Sequence, residues 1–301
     1  MKNFRFTTTN NPDLARLQPL LQADPQHPHI HLVDMPYRLT STWQEFGCEV
    51  GLWEHDGELV AWAVFMPPWW NVDYAIHPSL RGSELEREMF AWGAAEMQRY
   101  ATRANESFYG SVEFFANTPN HEQTLASLQA LGFQKFDWSV LRLAIDLSQP
   151  LPQPTLPAGL VVRPLHGLDE VEQYVAVHRA AFDSNTMTVA WRERTLAHPA
   201  YQPTLDLAVV DEEKTAVVGF CICWLANGVG QFEPLGVHPD YQGQGLGRAL
   251  ELTALHTLRD HGAKQVHVDH GSWNEAAVSL SLKTGFKQIN DAQRHYLVIE
   301  P

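Results

Sequence analysis

Basic residues are scarce in this 301-residue chain, 21 lysines and arginines against 35 aspartates and glutamates, for a formal charge of −14. A surface that grips nucleic acid needs clustered Lys and Arg to displace counterions, so nucleic-acid binding is not expected. Attachment to an anionic membrane surface is disfavoured on the same ground. Long apolar runs are missing as well: the longest, Ala216 to Ala226, has 11 residues, against about 20 for a bilayer span. The N-terminal stretch MKNFRFTTTNNPD has no extended apolar core and does not read as a signal peptide. Only three cysteines occur, Cys48, Cys221 and Cys223. The last two are too close in a β-like run for an ordinary bridge, and no second ligand pair accompanies them for zinc. We expect buried thiols, no metal, and a reducing cytoplasm.

What is present is an ordinary globular mix, 45% apolar and 19% charged, with ten Trp and 14 Phe for buried cores. At about 150 residues per domain the length suggests two domains. Ser148 to Ala158 carries Pro150, Pro152, Pro154 and Pro157, which forbid a helix and favour an extended spacer. The expected division is 1–148, a linker at 149–158, and 159–301. In the second part, strands are expected at Gly159 to Arg163, Leu205 to Val210, Val217 to Trp224, Gly230 to Val237 and Gln265 to Asp269. Helices are expected at Leu168 to Phe182, Thr188 to Ala197, Gly245 to His261 and Asn274 to Lys283, with short final strands at Phe286 to Ile289 and His295 to Ile299. The fold class is α/β, a mixed and mostly antiparallel twisted sheet flanked by helices.

The first part repeats this order. His77-Pro78 through Arg87 lies over His238-Pro239 through Arg248, and Leu131-Gly132-Phe133 lies over Thr284-Gly285-Phe286. Two domain-sized copies indicate duplication, not a short-period solenoid.

Gln242-Gly243-Gln244-Gly245-Leu246-Gly247-Arg248 carries the strongest chemical signal. Between a strand and a helix, its backbone N–H groups stand at the positive end of the helix dipole and make an anion site. Three glycines let the main chain approach a phosphate without Cβ obstruction. Gln242 and Arg248 add donors. The Gly-Lys-Ser/Thr end of a P-loop is lacking, and Arg248 stands where a dinucleotide fingerprint has its third Gly, so a nucleotide-dependent oxidoreductase does not fit.

Gln242-x-x-Gly245-x-Gly247 after Leu235-Gly236-Val237-His238-Pro239 resembles motif A of the GCN5-related N-acetyltransferases (GNAT). Asn274-x-x-Ala277-x-x-Leu280 with Lys283-Thr284-Gly285-Phe286 resembles motif B. The resemblance covers Gly159 to Glu300, with a weaker copy in the first part, and the tandem layout is similar to that of mycothiol synthases. It implies two tandem GNAT-like domains and acetyl-CoA as acyl donor. The pyrophosphate would lie on the amides of Gly243, Gln244, Gly245, Leu246, Gly247 and Arg248. The pantetheine arm would pair with Leu235, Gly236 and Val237, and Asn274 would help hold it.

Direct transfer to an amine needs a base for the ammonium proton and an acid for the thiolate. Glu233, just before Leu235, occupies the region from which GNAT bases are drawn, and a half-buried carboxylate suits that task. Where the family often carries Tyr after the Leu280 position, this chain has Ser281, a weak acid; Tyr296, His270 or a water are the substitutes. In the first copy, Glu84 and Glu86 replace two glycines of the turn. Ser83-x-x-Glu86 reads as a capping box, with the Ser83 hydroxyl on the N3 amide and Glu86 reaching back to the cap amide. The first domain is therefore expected not to bind the donor. The acceptor is a small-molecule or peptide amine, with monomer and homodimer both compatible. The alternative is a non-catalytic acyl-CoA-binding or scaffold protein.

Overall fold

The computed structural model describes residues 4–23, 33, 35–115 and 117–301. In chain order the strands and helices are β1 (Arg5–Thr9), α1 (Leu14–Ala23), α2 (Met35–Leu39), β2 (Val50–His55), β3 (Glu58–Met66), β4 (Asn71–Ile76), α3 (Glu84–Ala104), β5 (Phe108–Phe115), α4 (His121–Ala130) and β6 (Gln134–Asp146). They continue with β7 (Leu160–Pro164), α5 (Val171–Phe182), α6 (Val189–Ala197), β8 (Asp206–Asp211), β9 (Ala216–Ala226), β10 (Val229–Val237), α7 (Leu246–Asp260), β11 (Gln265–Gly271), α8 (Glu275–Thr284) and β12 (Lys287–Ile299). Among the described residues no helix is long and apolar enough to cross a membrane.

Two compact units emerge, one of Met1–Leu32, Thr42–Val140 and Asn290–Pro301, the other of Val33–Ser41 and Leu141–Ile289. Their boundaries depart from a cut at the proline-rich stretch in three places. Residues 33–41 join the second unit, the end of β6 joins it too, and most of β12 belongs to the first. The stretch itself carries no helix or strand from Leu151 to Pro157. It is held along the second unit, where Leu151 and Leu156 pack on the core and Pro152 O lies 2.9 Å from His256 Nε2. The two short strands expected at the end of the chain are one 13-residue strand, β12.

In the first unit β1, β2, β3 and β4 pair antiparallel in succession. β4 then meets β5 in parallel over only two residues, Asn71↔Ser111 and Val72↔Val112, and Ala292–Ile299 of β12 pairs antiparallel with β5. The second unit repeats the pattern. β7, β8, β9 and β10 are antiparallel, and β10 meets β11 in parallel over Val229↔Gln265 to Gln231↔His267. The end of β6 borders β11, with Leu147 N–H donating to Lys264 O at 2.9 Å. Both sheets are therefore mixed and mostly antiparallel, and each has one parallel pair that pairs briefly and then parts.

Helices cover both faces of the second sheet. A Cβ on Gly230 would stand 2.7 Å from Leu258 of α7, and one on Gly236 would stand 3.0 Å from Ala181 of α5. The α7 face carries Leu246, Leu250, Ala254, Leu255 and Leu258 against Val266, Val268, Phe232 and Phe286. The expected stripe of Leu246, Leu250, Ala254 and Leu258 is thus the buried one. Cys48, Cys221 and Cys223 are free and buried, with the Sγ atoms of Cys221 and Cys223 3.7 Å apart.

Buried histidines sit within these cores. Burial, with Arg192 and Arg179 nearby, holds His178 down at about 3. In the first unit, burial with Lys135 and His121 nearby holds His295 at about 4, its ring stacked on Phe114 at 5.2 Å. The unfolded chain takes up protons on these rings near pH 6.5 and the folded chain does not, so stability falls as pH drops through that window. Calorimetric melts should show a falling midpoint from pH 6.5 to 4, and His295→Phe should reduce that fall.

Candidate functional site

The site in the second unit starts from the parting of β10 and β11. β10 bulges between Phe232 and Leu235, where three of its residues span two of β9, so Glu233 and Pro234 form the irregularity and are joined by a cis peptide. An extra residue re-aims a strand and ends its regular pairing. Glu233 is half-buried there, and its carbonyl accepts from Trp224 Nε1 at 2.8 Å.

Beyond β10, His238 Nδ1 accepts from Asp240 N–H at 3.3 Å and closes a short turn over Pro239–Tyr241. The duplicate His77 accepts from Ser79 N–H at the same 3.3 Å over Pro78–Leu80. After this turn the copies diverge. In the second unit Gly243 (φ +75) and Gly245 (φ +84) take the left-handed conformation, and nothing stands within 4 Å of a Cβ on either. Gly245 caps α7, and the first-turn amides of Leu246, Gly247 and Arg248 have no acceptor inside the helix. Gly247 lies against α8, its Cβ position 3.3 Å from Leu280. Gln242 Nε2 donates to Val237 O at 3.1 Å and braces the turn from behind. Asn274 caps α8, with Oδ1 accepting from Ala277 N–H at 3.2 Å.

In the first unit a carboxylate folds back over the corresponding turn. Glu86, at the position of Gly247, is buried, and its Oε2 accepts from Gly82 N–H at 2.9 Å and from Thr124 Oγ1 at 2.6 Å. The expected capping box is therefore corrected. Glu86 reaches one residue past the cap, and Ser83 Oγ makes no cap bond, because Glu86 has taken the inner place. Glu84 turns outward to pair with Arg87.

The other expected residues scatter. Ser281 is buried in α8, donating to Glu251 Oε1 at 2.7 Å and lying 2.9 Å from His270 Nε2. Tyr296 belongs to the first unit, where its hydroxyl donates to Gln134 Oε1 at 3.0 Å and its ring meets Phe136 at 4.4 Å.

Three features escaped sequence reasoning. The α2 segment sits on the second unit: Tyr37 packs on Trp191 at 5.3 Å, and Arg194 Nε donates to Thr40 O at 2.8 Å. Burial, then the Tyr174 phenol and the Glu233 charge, push Tyr37 well above the usual phenol range, so it stays neutral. Next to it Arg192, fully buried, pairs with Asp206 and lies 3.9 Å over the Tyr174 ring. Finally, Arg142 Nε and Nη2 hold both Asp269 oxygens at 2.9 and 2.8 Å, pinning the free end of β11.

A sheet with one parting parallel pair and an open glycine turn beneath it defines a class, and residues 171–286 match the acetyltransferase (GNAT) family. The second unit thus carries an acetyltransferase (GNAT) domain, and the chain is similar in sequence to the mycothiol acetyltransferases and in fold to tandem GNAT proteins. That of Nocardia farcinica is 29% identical over 253 residues, covering 77% of each protein. That of Thermobispora bispora is 33% identical over 156 residues, covering 48% of this chain and 52% of its relative. The fold matches a GCN5-related N-acetyltransferase from Sphaerobacter thermophilus (TM-score 0.70, 21% identical, 98% and 96% covered). It also matches a tandem GNAT protein from the clavulanic acid biosynthesis pathway (TM-score 0.68, 16% identical, 99% of each chain).

Removing the Glu86 carboxylate would leave Gly82 N–H and Thr124 without their acceptor, at a cost of about 1–3 kcal/mol. Glu86→Ala should lower the urea midpoint by that measure, and Glu84→Ala, at an exposed pair, should leave it nearly unchanged.

Proposed function

We propose that the protein transfers an acetyl group from acetyl-CoA to a primary amine of a small-molecule or peptide acceptor, by direct transfer in the second unit. The observation that carries this reading is the contrast between the two turns: the approach to α7 is clear at Gly243 and Gly245, while in the first unit the Glu86 carboxylate folds back onto the Gly82 amide ahead of α3. The residues fit the donor. The amides of Gly243 to Arg248 would hold its pyrophosphate, and the edge of β10 at Leu235 to Val237, parted from β11, is free to take the pantetheine amides. Asn274 would help hold the same arm.

Glu233 stands on the bulge where β10 turns away from its neighbour, in reach of solvent. In this reading it takes the ammonium proton as the amine attacks the thioester carbonyl, whose developing oxyanion meets the β10 amides. Gln242 supports the turn rather than the phosphate, and the first unit serves as a structural partner that holds no donor. The relatives' name, mycothiol acetyltransferase, supports acetyl transfer. A buried Ser281 cannot itself meet a thiolate, which favours the alternative of binding without turnover unless another residue supplies the proton.

Release of free thiol from acetyl-CoA across a panel of amines separates the two. Glu233→Gln should lower kcat by about 10²- to 10⁴-fold with little change in acetyl-CoA affinity. Gly245→Glu puts a carboxylate into the cradle and strains a left-handed position, so calorimetry should find acetyl-CoA binding lost. Binding retained in Gly245→Glu would rule out this placement of the pyrophosphate.

A further inference from the structure

A buried hydrogen-bonded chain runs from the interior of the second unit to the parting of β10 and β11. Glu251, on α7, is almost inaccessible, and its carboxylate accepts from Ser281 Oγ at 2.7 Å and from Thr284 Oγ1 at 2.5 Å. Ser281 Oγ is in turn 2.9 Å from His270 Nε2. His270 follows His267, the last β11 residue paired with β10, so it borders the gap between the strands. Its ring faces α8, one residue along from Leu280, which touches the Gly247 turn. A carboxyl, a hydroxyl and an imidazole in line have no packing role that an apolar trio would not fill better.

Resting on the transfer reading above, we propose that Glu251, Ser281 and His270 form a proton relay through which His270 protonates the departing thiolate. Ser281 and Glu251 act through the histidine as positioning residues. The hydroxyl owns one proton, so the chain has two self-consistent arrangements. With Glu251 ionised, Ser281 donates to Glu251 and accepts from His270 Nε2–H, which leaves Nδ1 bare. With Glu251 protonated, the carboxyl donates to Ser281, Ser281 donates to Nε2, and Nδ1 carries the proton. In that second state, as the C–S bond breaks, the Nδ1 proton passes to sulfur, the Ser281 proton to Nε2, and the Glu251 proton to Ser281. The sulfur ends neutral and Glu251 ends as a carboxylate. The reverse path reloads it from solvent once the thiol has left.

The surroundings agree with this direction. Burial raises the Glu251 carboxyl against the opposing pull of Thr284, Ser281 and Arg248. Burial lowers His270, with Asp269 acting the other way, so its ring is held neutral. The Cys221 thiol, which feels Glu251, is itself pushed well above its usual range and stays uncharged. The relay also gives Ser281 a task where the family resemblance leads one to expect a tyrosine.

The test begins with ligand-free protein carrying ¹⁵N-histidine. NMR should show that Glu251→Gln changes the His270 tautomer population, and that in Ser281→Ala the same Glu251→Gln change has no further effect. With acetyl-CoA and an accepted amine, Ser281→Ala and His270→Gln should lower kcat by about 10²-fold, with the dissociation constant of acetyl-CoA within about twofold of wild type. The alkaline limb of the kcat profile should also move in Ser281→Ala, a change that a merely structural serine would not produce. Normal thiol release in Ser281→Ala with an unchanged His270 tautomer overturns the relay alone. No thiol release from wild type overturns the transfer reading beneath it.

Discussion

An α-helix begins with amides that its own backbone cannot satisfy, and the organisation of both units depends on how that demand is met. After matching His-Pro turns, the approaches to α3 and α7 differ. In α3 a carboxylate three residues in folds back onto the Gly82 amide ahead of the cap, braced by a threonine from α4. α7 is left open, with left-handed glycines holding the approach clear. One substitution class, glycine against glutamate at the position of Gly247 and Glu86, separates an open turn from one with a carboxylate folded over it.

The open helix end matters only because the strand before it parts from its neighbour. In each sheet a parallel pair begins and then stops, at Val72 and Val112 in the first and at Gln231 and His267 in the second. The β10 bulge places Glu233 at the opening, while the Arg142–Asp269 pair holds the far wall. Fixed walls matter because a reacting carbonyl must be held within a fraction of an ångström of its partners.

Much of this was legible in the sequence because it is local. Glycines spaced for a turn, a proline after histidine, and an i, i+4 leucine stripe all report on neighbours within a few residues. The parts that were not legible depend on long-range packing. Tyr37 meets Trp191 across more than half of the chain, and no periodicity in residues 35–41 announces it. Glu251 reads as a surface residue between Leu250 and Leu252, and only the hydroxyls of Ser281 and Thr284 make its burial tolerable. Tyr296 looked equivalent to its alternatives because sequence alone does not reveal that β12 pairs with β5.

That last pairing bears on how such a protein can change over time. The first unit completes its sheet with Ala292–Ile299, from the far end of the chain, and the second with the end of β6, which lies ahead of the proline-rich stretch. A duplicated gene ordinarily leaves two halves that can be shuffled, lost or fused elsewhere. Here a break anywhere between 149 and 289 would take that strand from the first unit, and one between 149 and 158 would also part the end of β6 from the second. The two copies have become a single heritable part, to be kept or lost together.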